Sequence, residues 1–227
     1  MLVLAPHPDD EVIGCGGLIA KIKNSGGKVF VLYLTVGETR DFTKKGLSTI
    51  PERQKEIETV AKFLKFDGWD IAFVGNDHHL RLDLLGQKAL MDVIERDSEV
   101  AIEKVKPTMI TFPSPVSYNQ DHRIAALAVH ASLRPASRNL KHFVPTVIAY
   151  ESPADFWNLE SQEINFWVSL SSKDLSTKLT ALKLYRSQIR PDPNPRSEVL
   201  LKTLAVLRGS QIGVEFAEGY KLLRAIL

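Results

Sequence analysis

A histidine, two aspartates and a glutamate crowd into five residues, His7-Pro8-Asp9-Asp10-Glu11. His7 and Asp10 stand three apart across a turn from a short apolar run into a helix, a spacing that lets an imidazole and a carboxylate reach one metal ion. Catalytic zinc takes three protein ligands of this kind and leaves a fourth position for water. Asp9 lies beside Asp10, and successive residues in a helical turn point ~100° apart. One carboxylate can therefore bind the ion while the other faces its water as general base. A helix N-terminus at this point favours both carboxylates in their ionised form. The plainer alternative is an acidic first helical turn with Asp9 as N-cap and Glu11 in a favoured dipole position, which explains the acids but not the His-Pro ahead of them. His122, opening a helix directly after another apolar run, completes a three-ligand set; taken alone it reads as a solvent-exposed histidine.

The elements that must position these groups follow from patterning. Short continuous apolar runs at residues 2–5, 29–35, 71–74, 108–112 and 146–150 suit strands buried on both faces of a parallel sheet. Between them lie helical stripes: Ile57, Val60, Ala61 and Leu64 after Pro51, then residues 86–104 with Leu90, Val93 and Ile94, then residues 121–133 with Ile124, Leu127, Ala128 and Ala131. The alternation predicts an α/β fold, a Rossmann-like doubly wound, mostly parallel sheet with helices on both faces. Further on, residues 166–170 read as one more strand and 174–188 as an amphipathic helix; Asn194 and Pro195 read as the cap and first residue of a last helix reaching Arg208-Gly209. A helical C-terminal extension on a single domain, residues 1–227, is the expectation.

Ligands in such sheets bind beyond the carboxyl ends of the strands. Polar clusters follow four of the runs: His7–Glu11, Gly37-Glu38-Thr39-Arg40, Asn76-Asp77-His78-His79, and residues 114–123. Together they predict one reactive cleft. His78, His79, His130 and His142 are given no chemical role, and Cys15 reads as a small buried apolar residue.

Bulk properties exclude other classes. In 227 residues, 29 basic and 27 acidic side chains leave a net charge of +2 with no basic cluster, so nucleic acid is not an expected partner. One cysteine excludes an internal disulfide framework and fits a reducing compartment. The first apolar run is too short for a signal peptide's core, and no stretch reaches the ~20 residues of a membrane span. A cytoplasmic protein without a membrane span is expected.

His7-Pro-Asp-Asp-Glu after an apolar strand, then Gly16-Gly17, then Asp121-His122-Arg123, resembles the PIG-L/LmbE family of zinc-dependent de-N-acetylases. Arg53 and Glu56 are similar to the family's Arg-x-x-Glu helix, and Asp77 to its aspartate after the third strand. Tyr150-Glu151-Ser152-Pro153, Arg208-Gly209 and the run from Glu215 to Tyr220 resemble one bacterial-type branch. The resemblance implies one Zn2+ per chain held by His7, Asp10 and His122, with Asp9 as general base and Arg53 and Asp77 contacting substrate. It implies removal of the acetyl group from an N-acetylglucosamine-type sugar or small glycoconjugate; a thiol-conjugate or aminoglycoside-like amide, or a weakly active sugar-binding role, is the alternative. Family members are often oligomers, which leaves a homo-oligomer open. Where many members carry a second histidine, this chain has Asn119. Its amide can donate to an oxyanion but cannot act as a general acid, and it can equally cap the following helix. Tyr118 is a second candidate donor, and Asp121 is read as orienting His122 or pairing with Arg123. Substrate choice is assigned to loops 40–50 and 153–162.

Overall fold

The computed structural model describes residues 1–40, 45–137 and 139–226. Part of the first specificity loop, residues 41–44, therefore lies outside the described residues.

Strands β1 (Leu2–Ala5), β2 (Phe30–Val36), β5 (Gly68–Val74), β6 (Met109–Pro113) and β7 (Thr146–Tyr150) pair in parallel. They are joined in one seven-stranded sheet by β8 (Phe166–Leu170) and β9 (Phe216–Arg224), in the order β5-β2-β1-β6-β7-β9-β8. A two-residue strand, β3 (Thr39–Arg40), pairs antiparallel with β4 (Leu47–Ser48) beside the sheet. Strand side chains alternate faces. Val3, Ala5, Val31 and Tyr33 enter one core under helices α1 (Asp10–Asn24), α2 (Ile50–Leu64), α6 (Ser172–Leu184) and α7 (Glu198–Ser210). Leu2, Leu4, Leu32 and Leu34 enter the other, under α3 (Gln87–Asp92), α4 (Ile102–Val105) and α5 (Gln120–Ser132). The sheet is thus doubly wound, as the alternation predicts.

After β1 the chain steps to β2 and β5, and then returns to the other side of β1 with β6. The switch falls between β1 and β6, so a crevice opens there at the carboxyl ends. That topology brings His7 and His122 together across more than a hundred residues.

Three helical expectations need correction. The stripe over residues 86–104 is broken into α3, a wide π turn at Val93–Asp97 and α4. Asp70 stops it, taking Ser98 Oγ at 2.8 Å and the Glu99 amide at 2.9 Å. The helix expected to reach residue 188 ends at Leu184, where Glu56 captures the Ser187 amide at 2.8 Å and its hydroxyl at 2.6 Å. The last helix does not begin at Pro195. Asn194 forms an Asx turn onto the Arg196 amide at 2.9 Å, and Ser197 is the N-cap, accepting from the Leu200 amide at 3.1 Å.

The C-terminal region also contributes β9, which alternation does not reveal because it carries a glutamate on a buried position. Glu218 accepts from the Gly17 and Leu18 amides at 2.9 and 2.8 Å, from Lys178 Nζ at 2.6 Å and from the Tyr220 hydroxyl at 2.7 Å. The tail is thereby fastened to α1, the helix that carries Asp10. Glu218→Ala would strand a buried lysine, and breaking such a pair costs about 3–5 kcal/mol. Urea unfolding is expected to show a loss of that size; a loss under about 1 kcal/mol would mean that Lys178 reaches water.

Candidate active site

Two prolines flank His7, and the chain then turns sharply: Asp9 has φ 118° and ψ −26°, and α1 starts at Asp10. The turn is closed by Asp10 itself, whose Oδ2 accepts from the His7 amide at 2.9 Å. Asp9 makes no capping bond, so the simple reading of it as an N-cap is set aside.

Asp10 Oδ2 lies 3.3 Å from His7 Nδ1 and 3.2 Å from His122 Nε2. All three residues are buried, and their ligand atoms fall within 4.8 Å of one another. A tetrahedral ion with bonds of ~2.0–2.1 Å spaces its ligands ~3.3 Å apart. Two nitrogens and one carboxylate oxygen suit zinc and its neighbours among the divalent transition metals. Burial opposes charge on Asp10, but His122 and His7 more than offset it and hold the carboxyl well below its usual range. Next to this trio, Asp9 Oδ2 is buried with no hydrogen-bond partner. A buried carboxylate oxygen without a hydrogen bond is costly; the nearest cation, Arg196 Nη1, stands 3.7 Å away. The donor set fits a divalent ion.

His7 is oriented from behind. Its Nε2 lies 2.9 Å from Asp121 Oδ2, while Asp121 Oδ1 accepts from the Leu82 amide at 3.0 Å. Asp121 therefore holds His7 rather than His122 or Arg123, correcting both alternatives read from sequence. A carboxylate behind a histidine fixes the tautomer and leaves the other nitrogen free for metal. Burial would lower the His7 pKa, but hydrogen bonds to Asp10 and Asp121 prevail and raise it to about 9.

Arg53 is almost fully buried. Its Nη1 donates to Thr39 Oγ1 at 2.6 Å, His79 Nε2 at 2.9 Å and the Gly37 carbonyl at 3.1 Å. The charge acts on Asp9, yet the side chain does not line the cavity described below. Asp77 is exposed and sits apart from the trio. His79 was given no role from sequence, and the structure makes it a brace. Its ring packs edge-on against His7 at 5.4 Å, and burial, with His7 and Arg53 nearby, lowers its pKa to about 3, so it accepts from Arg53 as a neutral group. Cys15, buried, and His130, exposed, match the plain readings.

A cavity of about 250 Å³ opens onto Asp10 and His122. Asn119 and Tyr118 border it, as do Arg190 and Arg196 from the proline-rich loop ahead of α7. Asn119 also caps α5, its Oδ1 accepting from the Asp121 amide at 2.9 Å. Capping uses only the oxygen, so the amide nitrogen stays available to the cavity. Arg196 Nη1 lies 3.7 Å from Asp9 Oδ2 and donates to Gln188 Oε1 at 2.9 Å. Neither arginine was singled out from sequence, because the loop is remote from every strand end in the chain and only the fold of α6 and α7 returns it there.

Among curated proteins, the chain is 28% identical to the diacetylchitobiose deacetylase of Thermococcus kodakarensis, over all of this chain and 84% of that one. Among solved structures it superposes on the conserved protein TT1542 of Thermus thermophilus with a TM-score of 0.75 and 23% identity, covering 100% of this chain and 95% of that one. The N,N'-diacetylchitobiose deacetylase of Pyrococcus horikoshii superposes with a TM-score of 0.73 and 23% identity, over 98% and 83% of the two chains. These two structural likenesses speak to the fold. Residues 2–133, which span β1 to α5 and include His7, Asp10 and His122, match the family described as PIG-L, GlcNAc-PI de-N-acetylase, and on that match this chain belongs to the PIG-L family.

Proposed function

We propose that this chain is a zinc-dependent N-deacetylase that hydrolyses the acetamide of an N-acetylglucosamine-type sugar or small glycoconjugate, as a single cytoplasmic domain. The observation that carries the reading is the meeting of His7, Asp10 and His122, with the next residue, Asp9, holding a buried Oδ2 that makes no hydrogen bond. The deacetylase name of its 28% identical relative and the match to the PIG-L family support it. No helix among the described residues is long and apolar enough to cross a membrane.

A divalent ion on the three ligands supplies a Lewis acid for the amide carbonyl and lowers the pKa of a water toward ~7. The chain's own residues do the rest. Asp9 takes a proton from the water as its oxygen attacks the carbonyl carbon. Asn119 donates from its amide nitrogen to the carbonyl oxygen as negative charge develops there. Asp9 returns the proton to the nitrogen as the C–N bond breaks, leaving acetate and a free amine. Release of acetate from acetylated sugars, measured with zinc content, tests the reading; a fully metal-loaded protein that releases none from sugars, sugar nucleotides or chitooligosaccharides would refute it.

Asn119→Ser separates the two jobs of that side chain. Serine is as good an N-cap as asparagine, but it is too short to reach the carbonyl. We expect an unchanged melting temperature and a kcat lower by a factor on the order of 10²–10³, the usual cost of one oxyanion donor. Asn119→Ala should lose the cap as well, about 1 kcal/mol. Intact turnover in both variants would leave Asn119 a cap only.

The resemblance carries Arg53 and Asp77 into the proposal as substrate contacts, whereas in this structure Arg53 braces Thr39 and His79 and neither side chain lines the cavity. Arg53→Ala and Asp77→Ala are expected to raise KM with zinc content unchanged, read from steady-state kinetics beside metal analysis. Unchanged kinetics would remove them from the site.

A further inference from the structure

Asp9 is placed by its backbone rather than by its side chain. The carboxylate caps nothing, and its Oδ2 makes no hydrogen bond. The direction of the Cα–Cβ bond follows from φ 118°, a region that most side chains avoid. Such a peptide must be held from both sides. On the carbonyl side the first turn of α1 holds it, the Val12 and Ile13 amides donating at 3.0 and 2.9 Å. On the amide side the holder is a side chain, for Glu11 Oε2 accepts from the Asp9 amide at 3.2 Å.

Glu11 is itself fixed. Its Oε1 accepts from the Tyr185 hydroxyl at 2.6 Å, and that hydroxyl meets the hydroxyl of Tyr33 at 3.0 Å. All three side chains are fully buried, Tyr33 on β2 and Tyr185 just past the end of α6. A link between α1 and α6 needs only Oε1; the other oxygen is turned back to the residue before Asp10. Tyr185 acts through its backbone as well. Its carbonyl accepts from the Gln188 and Ile189 amides, both at 2.9 Å, where the chain enters the loop that brings Arg196 to 3.7 Å from Asp9 Oδ2. Tyr185 lies beyond residues 2–133, the segment that matches the family.

We propose that Tyr185 is a positioning residue for Asp9: its hydroxyl fixes Glu11, whose Oε2 holds the Asp9 amide and so sets the aim of the Asp9 carboxylate. The proton-transfer role of Asp9 rests on the deacetylase reading, whereas the hold on its amide does not. Neither Glu11 nor Tyr185 lines the cavity, so both act through Asp9. Misplacing a reacting group by about 1 Å costs on the order of 10² in rate. A loosened hold should therefore lower kcat, while His7, Asp10 and His122, with their own contacts, keep the metal.

Variants of the pair test this. Tyr185→Phe keeps the ring and removes the hydroxyl. Glu11→Met keeps the length and removes both oxygens. Glu11→Gln keeps an oxygen for the Asp9 amide and offers an N–H to Tyr185. In zinc-loaded protein assayed below each melting temperature, Tyr185→Phe should lower kcat about tenfold and Glu11→Met by on the order of 10², with KM and zinc content unchanged. Glu11→Gln should recover most of the Glu11→Met loss. Amide hydrogen exchange, followed by NMR on metal-free protein, reads the hold without turnover. The Asp9 amide should exchange roughly tenfold faster in Tyr185→Phe, while the Val12 and Ile13 amides keep their rates. Tyr185→Phe carries the test by itself where Glu11→Met does not fold. Parent-like kcat in Tyr185→Phe, or an acceleration shared equally by Val12 and Ile13, would make the pair a fold contact only and overturn the proposal. So would a loss in Glu11→Gln as deep as in Asp9→Asn, because Glu11 would then be carrying the proton itself. If the parent releases no acetate from any acetylated sugar, the deacetylase reading falls, and faster exchange confined to Asp9 still upholds the hold on its amide.

Discussion

Replacing Asp9 with asparagine should lower kcat by a factor on the order of 10²–10⁴, the usual contribution of a positioned general base, while KM and metal content hold. Asparagine is the right probe for a backbone reason. Asp9 sits at φ 118°, a region where asparagine is among the few tolerated side chains, so alanine would confound loss of the base with strain. The pH profile supplies a second readout. Burial raises the Asp9 carboxyl to about 6, with Arg196 pulling the other way. A base acts only when ionised, so turnover rises as pH climbs through a limb near 6, and a divalent ion alongside moves that limb lower. The limb should vanish in Asp9→Asn. Activity within a few-fold of the parent would shift the base role to another group, and Glu11 would be the first suspect. Yet Glu11 accepts from the Tyr185 hydroxyl at 2.6 Å and from the Asp9 amide at 3.2 Å. Burial pushes it to about 8, which suits a structural acid tying α1 to α6.

The parts of this site that sequence reveals are those built from short-range geometry. His7, Asp9 and Asp10 lie within one turn, and the β1/β6 switch point follows from strand order alone, so the convergence of His122 on them is legible. The residues it hides depend on contacts far apart in sequence. Asp121 looks like a partner for its neighbours until β1 and β6 are set side by side, and then its carboxylate faces His7. His79 acquires its role only because β2, α2 and the turn after β5 meet there, surrounding it with Thr35, Thr39 and Arg53. Strand β9 is masked for a similar reason: Glu218 is tolerated inside only because α1 offers two free amides and α6 offers Lys178. The tail thus acts as a clasp. Glu151, next to β7, pairs with Arg208 on α7 through Nε at 2.7 Å, holding the tail's helix to the edge on which the site sits. Periodicity also read through the break at Ser98 and past the helix end at Leu184, since Asp70 and Glu56 captured backbone amides that the stripe alone would have kept helical.

Loss of metal is the second large effect expected. His7→Ala, Asp10→Ala and His122→Ala should each leave the isolated protein largely free of zinc, whereas Asp121→Asn should weaken binding by only about 10–100-fold, the usual cost of removing a ligand's supporting partner. The ordering tests the geometry, because Asp121 touches His7 and not the ion. Protons give an independent check. With its pKa near 9 in the metal-free state, His7 is an imidazolium at neutral pH, and Nδ1 must lose its proton before it can bind. Zinc binding should therefore release close to one proton at pH 7, and affinity should rise with pH until about 9. Titration calorimetry in buffers of different ionisation enthalpy measures that number directly. In Asp121→Asn the imidazolium loses one of its two stabilising carboxylates, so its pKa falls and fewer protons should be released at pH 7. Proton release equal to that of the parent would mean that His7 is not the group that metal displaces, and elemental analysis showing full zinc in the His7, Asp10 and His122 variants would remove the ligand assignment altogether.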